Sequence, residues 1–217
     1  MALNLYRQIY AITPERDDDE LLFTQVEQAL TAGLRWLQYR DKSSSPARRR
    51  VRARTLTDLC HRHAARLIVN DDVELCLHSG ADGVHLGRSD GSLAQARLRL
   101  GQEYLLGATC HADLELARQA STYADYVAFG AFFPSRNKPQ AERAPLDILR
   151  QAASLGKPRV AIGGLSLDNA PAVIAAGADA LAMISALFDA PDIGQRCRQW
   201  LALWMPLPPH PETSLRR

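Results

Sequence analysis

The chain has 217 residues, 47% of them hydrophobic, and a formal net charge of +2. That length suits one α/β barrel or one open α/β sheet with a large buried core, and the near-balanced charge points to neither nucleic acid nor a membrane surface as partner. No apolar run reaches membrane-spanning length. The first residues lack the charged and apolar regions of a signal peptide. Cys60, Cys76, Cys110 and Cys197 show no Cys-x-x-Cys spacing, so a zinc site or disulfide scaffold is not expected, and reduced thiols in a cytoplasmic protein fit best.

In chain order, Leu5 to Ile12 reads as a first strand ending at Thr13-Pro14. Glu20 to Ala32 carries Leu21, Leu22, Val26 and Leu30 at helical spacing, and Gly33 stops it. Leu34 to Arg40 is a second strand, running into Gln38-Tyr39-Arg40-Asp41-Lys42. Ser45-Pro46 caps a long helix to about His63, with proline at a tolerated first-turn position. Its run Arg48-Arg49-Arg50-Val-Arg52-Ala-Arg54 spreads around the helix and reads as a solvated face, with an RNA-binding patch as the rival.

Leu67–Val69, the helical stretch Val73 to Ser79 and Val84–Leu86 form a strand–helix–strand unit, so the two strands should be parallel. Ser92 to Leu100 is helical and Tyr104–Ala108 a strand. Asp113 caps a helix to Ser121, and Tyr126–Phe129 is a strand followed by a long loop, Gly130 to Ala144. That loop is rich in proline and charge and reads as a mobile lid. Leu146–Leu155 is helical, Arg159–Ile162 a strand ending in Gly163-Gly164, Asn169–Ala176 a helix, Ala180–Ile184 the last strand and Ile193–Trp204 the last helix. Residues 1–204 therefore read as one catalytic domain, and 205–217, with Pro206-Leu-Pro-Pro-His-Pro, as a disordered tail.

Eight strands alternating with helices favour a single-domain (β/α)₈ TIM barrel, with an open doubly wound sheet as the alternative. No Gly-x-Gly-x-x-Gly follows the first strand, which weakens a dinucleotide-binding reading. A weak repeat supports the alternation: Ala-Gly33-Leu, Gly80-Ala-Asp82-Gly, Tyr-Ala-Asp125-Tyr and Gly177-Ala-Asp179-Ala each fall between a helix and a strand. Glycine supplies a left-handed helix cap, and the aspartate can tie the turn into the next strand. These aspartates lie at strand starts and are read as structural.

In a barrel, chemistry collects where strands end. Asn70 and Asp71 follow one strand of the parallel unit and Asp90 follows the other, so Asp71 and Asp90 should meet on one face. Converging carboxylates repel unless a cation lies between them, and hard oxygen ligands suit Mg²⁺. Asn70-Asp71 as a helix N-cap is the competing reading. Gln38, Arg40 and Lys42 alternate and share one face in extended chain. With Lys138 they suit a phosphate or diphosphate bridged by Mg²⁺. Gly163-Gly164 and Ile184-Ser185 lie in the loops after the seventh and eighth strands, where backbone N–H groups can bind phosphate.

His85, within its strand, reads as a packed core residue. His111, past a strand end, could serve as acid or base. Trp36, Trp200 and Trp204 read as core, and Phe132-Phe133 either covers a flat ring or packs.

Taken together, Gln38-Tyr-Arg40-Asp-Lys42, Asn70-Asp71, Gly80-Ala-Asp-Gly-Val-His-Leu-Gly87, Asp90, Gly130-x-x-x-Pro134-x-x-x-Lys138, Ile162-Gly-Gly-Leu165 and Ile184-Ser185-Ala resemble, in order, the thiamine phosphate synthase family. The likeness spans about Tyr10 to Leu187. It implies a (β/α)₈ barrel that joins 4-amino-2-methyl-5-hydroxymethylpyrimidine diphosphate to 4-methyl-5-hydroxyethylthiazole phosphate, giving thiamine phosphate and pyrophosphate. The pyrimidine amino group would push electrons to expel pyrophosphate, and the thiazole nitrogen would attack the resulting carbon.

By position, the resemblance assigns Gln38, Arg40, Lys42, Asn70 and Lys138 to the pyrimidine diphosphate, and Asp71 and Asp90 to Mg²⁺. Thr109 stands where the family usually has serine. Ser135 and Asn137 stand at two threonine positions that help bind the thiazole phosphate. Gly164, Ile184 and Ser185 complete that phosphate site. Lys138, Arg40, Lys42 and Thr109 would act on the reacting groups. The family's Pro-Thr-x-Thr-Lys appears as Pro134-Ser135-Arg136-Asn137-Lys138, and its Gly-Gln-Glu-Asp as Gly87-Arg88-Ser89-Asp90. Thiazole tautomerase on the same barrel is one alternative, kept in play by His111, and a non-catalytic phosphate-binding barrel is another. The expected partners are the two small substrates, and a homo-oligomer is left open.

Overall fold

The first strand, β1 (Gln8–Ile12), lies between β2 (Trp36–Tyr39) and β8 (Ala180–Met183), parallel to both. Between these run β3 (Arg66–Asn70), β4 (Gly83–Leu86), β5 (Leu105–His111), β6 (Tyr126–Phe129) and β7 (Arg159–Ile162), each parallel to its neighbours in sequence order. The pairing of Ile9 with Leu181 closes the sheet, which excludes the open doubly wound alternative. The computed structural model describes residues 5–134 and 143–205. Ser135, Asn137 and Lys138, most of the loop expected to form a lid, and the tail beyond Met205 lie outside the described residues.

The helices are α1 (Asp19–Thr31), α2 (Pro46–Arg62), α3 (Val73–Ser79), α4 (Leu93–Leu100), α5 (Leu114–Ala120), α6 (Asp147–Gln151), α7 (Ala170–Ala175), α8 (Ser185–Phe188) and α9 (Ile193–Ala202). Ser45 caps α2 and Ser92 caps α4 by accepting a backbone N–H, as their sequence positions predict. Asp72, rather than Asn70 or Asp71, caps α3, accepting from Leu75 N–H at 2.8 Å. That frees Asp71 from a capping role.

Side chains alternate along each strand, so each strand contributes to two cores. Tyr10, Trp36, Ile68, Tyr126 and Val160 fill the barrel interior. Ile9, Leu37, Val69, Val127 and Leu181 face outward beneath the helices. The rings of Tyr10, Trp36 and Tyr126 meet edge to face, with centroids 5.9–6.4 Å apart. Trp36 and Trp200 are buried, as expected, while Trp204 only packs against the outer core.

Several boundaries differ from those read in the sequence. β1 begins at Gln8 because Arg7 turns the chain with a φ of 58°. β5 runs on to His111, so Thr109 lies inside the strand, next to a bulge. The helix after the long loop tightens into a 3₁₀ turn over Ala152–Leu155. The last helix stops at Ala202.

The repeated aspartates are structural, but they tie backward rather than forward. Asp82, before β4, accepts from Leu67 N–H of β3 at 2.9 Å. Asp125, before β6, accepts from Leu106 N–H of β5 at 2.8 Å. Asp179, before β8, accepts from Arg159 N–H of β7 at 2.8 Å. Each fastens the start of one strand to the start of its neighbour, setting register at the end of the barrel away from the strand tips.

All four cysteines are free and buried. Burial raises the thiols of Cys76 and Cys110 to about 12 and that of Cys197 to about 11, and pushes Cys60 further still. A thiolate-selective reagent at pH 8 should therefore label none of them in the native protein and all four after denaturation. Rapid labelling of the native chain would contradict this packing.

Candidate functional site

At the C-terminal ends of the strands, alternation along β2 turns Gln38 into the barrel, where it is 3% exposed and donates through Nε2 to Tyr10 Oη at 3.0 Å. Arg40 lies just past the strand. Its N–H donates to Thr13 Oγ1 at 2.9 Å, and the Thr13 hydroxyl donates back to the Arg40 carbonyl at 3.1 Å. The Arg40 guanidinium donates to Glu15 Oε1 at 2.7 Å. The pattern of charges alone did not single out Glu15; it meets Arg40 because the loops after β1 and β2 sit side by side.

Lys42 Nζ lies 3.2 Å from Asp71 Oδ2. Asp71 has a φ of 64°, uncommon away from glycine, and its N–H donates to the His85 carbonyl at 2.9 Å. Asp90 is seated over Gly87, whose N–H donates to Asp90 Oδ2 at 2.8 Å. A β-carbon at Gly87 would come within 2.7 Å of that oxygen, so any larger residue there would push the Asp90 carboxyl aside.

The carboxyl groups of Asp71 and Asp90 lie close enough to shift one another. Burial, and then the contact with Asp90, holds the Asp71 carboxyl above its ordinary value, opposed by Lys42. Burial would raise Asp90 too. The neighbouring Asp71 carboxyl, the Gly87 N–H and the charge of Lys42 outweigh it and hold Asp90 low. Two converging carboxylates are a hard oxygen donor set of the kind that suits a dication.

Thr109 Oγ1 lies 2.8 Å from His85 Nε2. His85 is buried and hydrogen-bonded, as its place within a strand predicts. His111 ends β5, exposed, with a φ of 53°. Gly163 and Gly164 adopt left-handed φ values of 102° and 63°, and β-carbons there would run into Ala131 and the Pro134 carbonyl. The segment after β6 thus lies directly across the glycine pair, with Phe132 and Phe133 N–H groups donating to the Ile162 and Gly163 carbonyls. Phe132 is buried and packs into the outer core. Ile184 and Ser185 open the short α8 on the neighbouring strand end.

The structure therefore brings Lys42, Asp71 and Asp90 into contact, and joins Gln38 to Thr109 through interior side chains. It does not join Arg40 to the carboxylates of Asp71 and Asp90; Arg40 pairs with Glu15 instead. Asn70 ends β3 beside them. Gly164, Ile184 and Ser185 occupy the adjoining arc on β7 and β8.

One expectation fails. The arginines of α2 are not all solvated: Arg52 is 1% exposed. Arg52 Nη1 donates to Asp41 Oδ2 at 2.8 Å, its Nε to Asp19 Oδ1 at 2.6 Å and its Nη2 to the Arg16 carbonyl at 2.6 Å. Asp41 also accepts from Tyr39 Oη at 3.0 Å and Ser44 N–H at 2.9 Å. The loop that presents Arg40 and Lys42 is thus nailed down by a buried ion pair at its centre.

A family model described as thiamine monophosphate synthase matches residues 9–187. The chain belongs to that family. It is 53% identical over 197 residues to a thiamine-phosphate synthase of Chromobacterium violaceum, covering 90% of this chain and 95% of that one. It is 50% identical over 197 residues to a thiamine-phosphate synthase of Methylobacillus flagellatus, covering 90% and 94%. Among solved structures, a thiamine phosphate pyrophosphorylase from Pyrococcus furiosus superposes with a TM-score of 0.82 at 31% identity, over 93% of this chain and 96% of that one.

Within this thiamine monophosphate synthase barrel, the Arg52 pair can be tested directly. Arg52→Met strands a buried Asp41 carboxylate and should cost about 3–5 kcal/mol of stability, read from the denaturant midpoint. Burial would raise the Asp41 carboxyl, but Ser44, Arg52 and Tyr39 together hold it far below the ordinary range. Its stabilisation is therefore present above about pH 3.9 and is lost as pH falls below that value. Stability of Arg52→Met within about 1 kcal/mol of wild type would contradict the arrangement.

Proposed function

We propose that this member of the thiamine monophosphate synthase family is a transferase. It joins 4-amino-2-methyl-5-hydroxymethylpyrimidine diphosphate to 4-methyl-5-hydroxyethylthiazole phosphate and releases thiamine phosphate and pyrophosphate. The observation that carries the reading is the cluster of Lys42, Asp71 and Asp90 at the strand ends of a barrel of this family. Gln38 and Asn70 hold the pyrimidine; Arg40, Lys42 and Lys138 hold the diphosphate. Ser135, Asn137, Gly164, Ile184 and Ser185 hold the thiazole phosphate, and Thr109 lies between the two substrates.

The displacement is dissociative. The pyrimidine amino group donates electron density, the carbon–oxygen bond to diphosphate breaks, and the thiazole nitrogen bonds to the cationic carbon. Such a reaction asks the protein for positioning and for charge to meet the leaving group, and the three cations provide both. Asp71 and Asp90 would hold Mg²⁺, which would supply further neutralisation of the leaving diphosphate. Lys42, 3.2 Å from Asp71, is placed to meet a diphosphate oxygen beside that pair. The thiols stay reduced because the enzyme works in the cytoplasm.

Supplied with both substrates and Mg²⁺, the protein should release pyrophosphate and thiamine phosphate in equal amounts. Asp71→Asn, Asp90→Asn and Lys138→Ala should each lower that turnover by about 10²-fold while remaining folded. Full activity in both aspartate variants would remove the metal assignment. Folded wild-type protein that releases no pyrophosphate would remove the reaction and turn attention to an isomerase on the same barrel.

A further inference from the structure

An unbroken line of hydrogen bonds crosses the barrel interior. Gln38 Nε2 donates to Tyr10 Oη at 3.0 Å, Tyr10 Oη lies 2.8 Å from Tyr126 Oη, Tyr126 Oη lies 3.1 Å from His85 Nδ1, and His85 Nε2 lies 2.8 Å from Thr109 Oγ1. The three middle residues are buried: Tyr10 is 1% exposed, Tyr126 0% and His85 7%. The His85 and Tyr126 rings stack, with centroids 5.6 Å apart at 24°. Gly107 makes room for that stack, since a β-carbon there would fall 2.1 Å from Tyr126 Cζ and 2.5 Å from His85 Nδ1. A residue with any side chain at Gly107 would break the line.

We propose that this line is a polarised relay that fixes Thr109 as a hydrogen-bond donor and Gln38 as an acceptor toward bound substrate, with Tyr10, Tyr126 and His85 as positioning residues. The inference rests on the reading above in which Gln38 and Thr109 face the substrates. The direction follows from counting protons. The Gln38 amide nitrogen only donates, and Tyr10 Oη accepts from it. The single Tyr10 hydroxyl proton then goes to Tyr126 Oη, and the Tyr126 proton to His85 Nδ1. Neutral His85 accordingly carries its proton on Nε2 and gives it to Thr109 Oγ1. The Thr109 proton is left to point into the mouth, where it meets an anionic or lone-pair oxygen.

The reverse direction would need the Gln38 amide turned over so that Oε1, not Nε2, faces Tyr10; with Nε2 on Tyr10 the reversed line leaves the Tyr10 proton without an acceptor. His85 is buried with one hydrogen-bond partner on each ring nitrogen, an arrangement that suits a neutral ring with one donor and one acceptor. At the other end, the amide nitrogen of Gln38 is committed to Tyr10, so its Oε1 is the group that can accept from an exocyclic amino group. Neither terminus can swap roles without reversing every bond between them. The relay thus converts two flexible polar side chains into groups of fixed sense, which favours an amino group at one end and a phosphate oxygen at the other.

Two measurements test this. In the first, ¹⁵N NMR of the imidazole in substrate-free wild-type protein should show His85 protonated on Nε2 and bare on Nδ1. Protonation on Nδ1 would reverse the relay and overturn it. This readout needs no turnover, so it separates failure of the relay from failure of the proposed reaction. In the second, Tyr126→Phe, Thr109→Val and the double variant are assayed with both substrates, and Tyr10→Phe stands in if Tyr126→Phe does not fold. Tyr126→Phe should lower kcat about tenfold, the loss of roughly one good hydrogen bond, with KM for the diphosphate within about twofold. In the Thr109→Val background, Tyr126→Phe should lower kcat no further. Losses that multiply in the double variant, or unchanged kcat in Tyr126→Phe, would overturn the proposal.

Discussion

Closure of the parallel sheet is the constraint on which the rest depends. When β1 pairs with β8, every strand points the same way around a ring, and every strand ends at the same rim. Residues scattered from Gln38 to Ser185 along the chain are thereby delivered to one mouth. The opposite rim carries the fastening, where Asp82, Asp125 and Asp179 each hold a neighbouring strand by its first N–H groups. Separation of duties between the two ends lets the mouth hold strained backbone at Asp71 and His111 while register is set elsewhere.

At the mouth, charges are matched before any ligand is considered. Lys42 is paired to Asp71 and Arg40 to Glu15. Such pairs are partly solvated and individually weak, so a multiply charged anion accompanied by a dication can displace them at small cost. The buried Arg52–Asp41 pair behind them is different in kind. It is desolvated, tied to Ser44 and Tyr39, and holds the loop rigid. The exchangeable pairs face the mouth and the permanent one lies beneath the loop.

Much of this was legible in the sequence. The period of apolar residues located α3 over Val73–Ser79, β6 over Tyr126–Phe129 and β7 over Arg159–Ile162 without error. Parallel strands predicted that Asp71 and Asp90 would meet, while the face expected to hold Gln38, Arg40 and Lys42 together splits, with Gln38 buried in the barrel and Arg40 on Glu15. What escaped were relations between segments far apart in sequence. Glu15 faces Arg40 only because two loops are neighbours. Arg52 is buried because the β2–α2 loop folds over it, which a helical wheel does not report. Tyr10 and Tyr126 look like ordinary strand aromatics until the barrel brings their hydroxyl groups together. His85 was read as a core residue, and it is one, yet its Nε2 reaches Thr109 because β5 continues past the point at which its apolar run stops. The signal available was Gly107 between Leu106 and Ala108, a glycine that a strand has no use for unless a large neighbour occupies its space.

The proposed diphosphate site, with a divalent cation at Asp71 and Asp90 and the cations of Arg40 and Lys42 beside it, can be tested by calorimetric titration of the protein with pyrophosphate, with and without Mg²⁺. Binding that is at least tenfold tighter with Mg²⁺, and that loses this difference in Asp71→Asn, is the result predicted here. Equal affinity with and without the ion, or no binding under either condition, would contradict it.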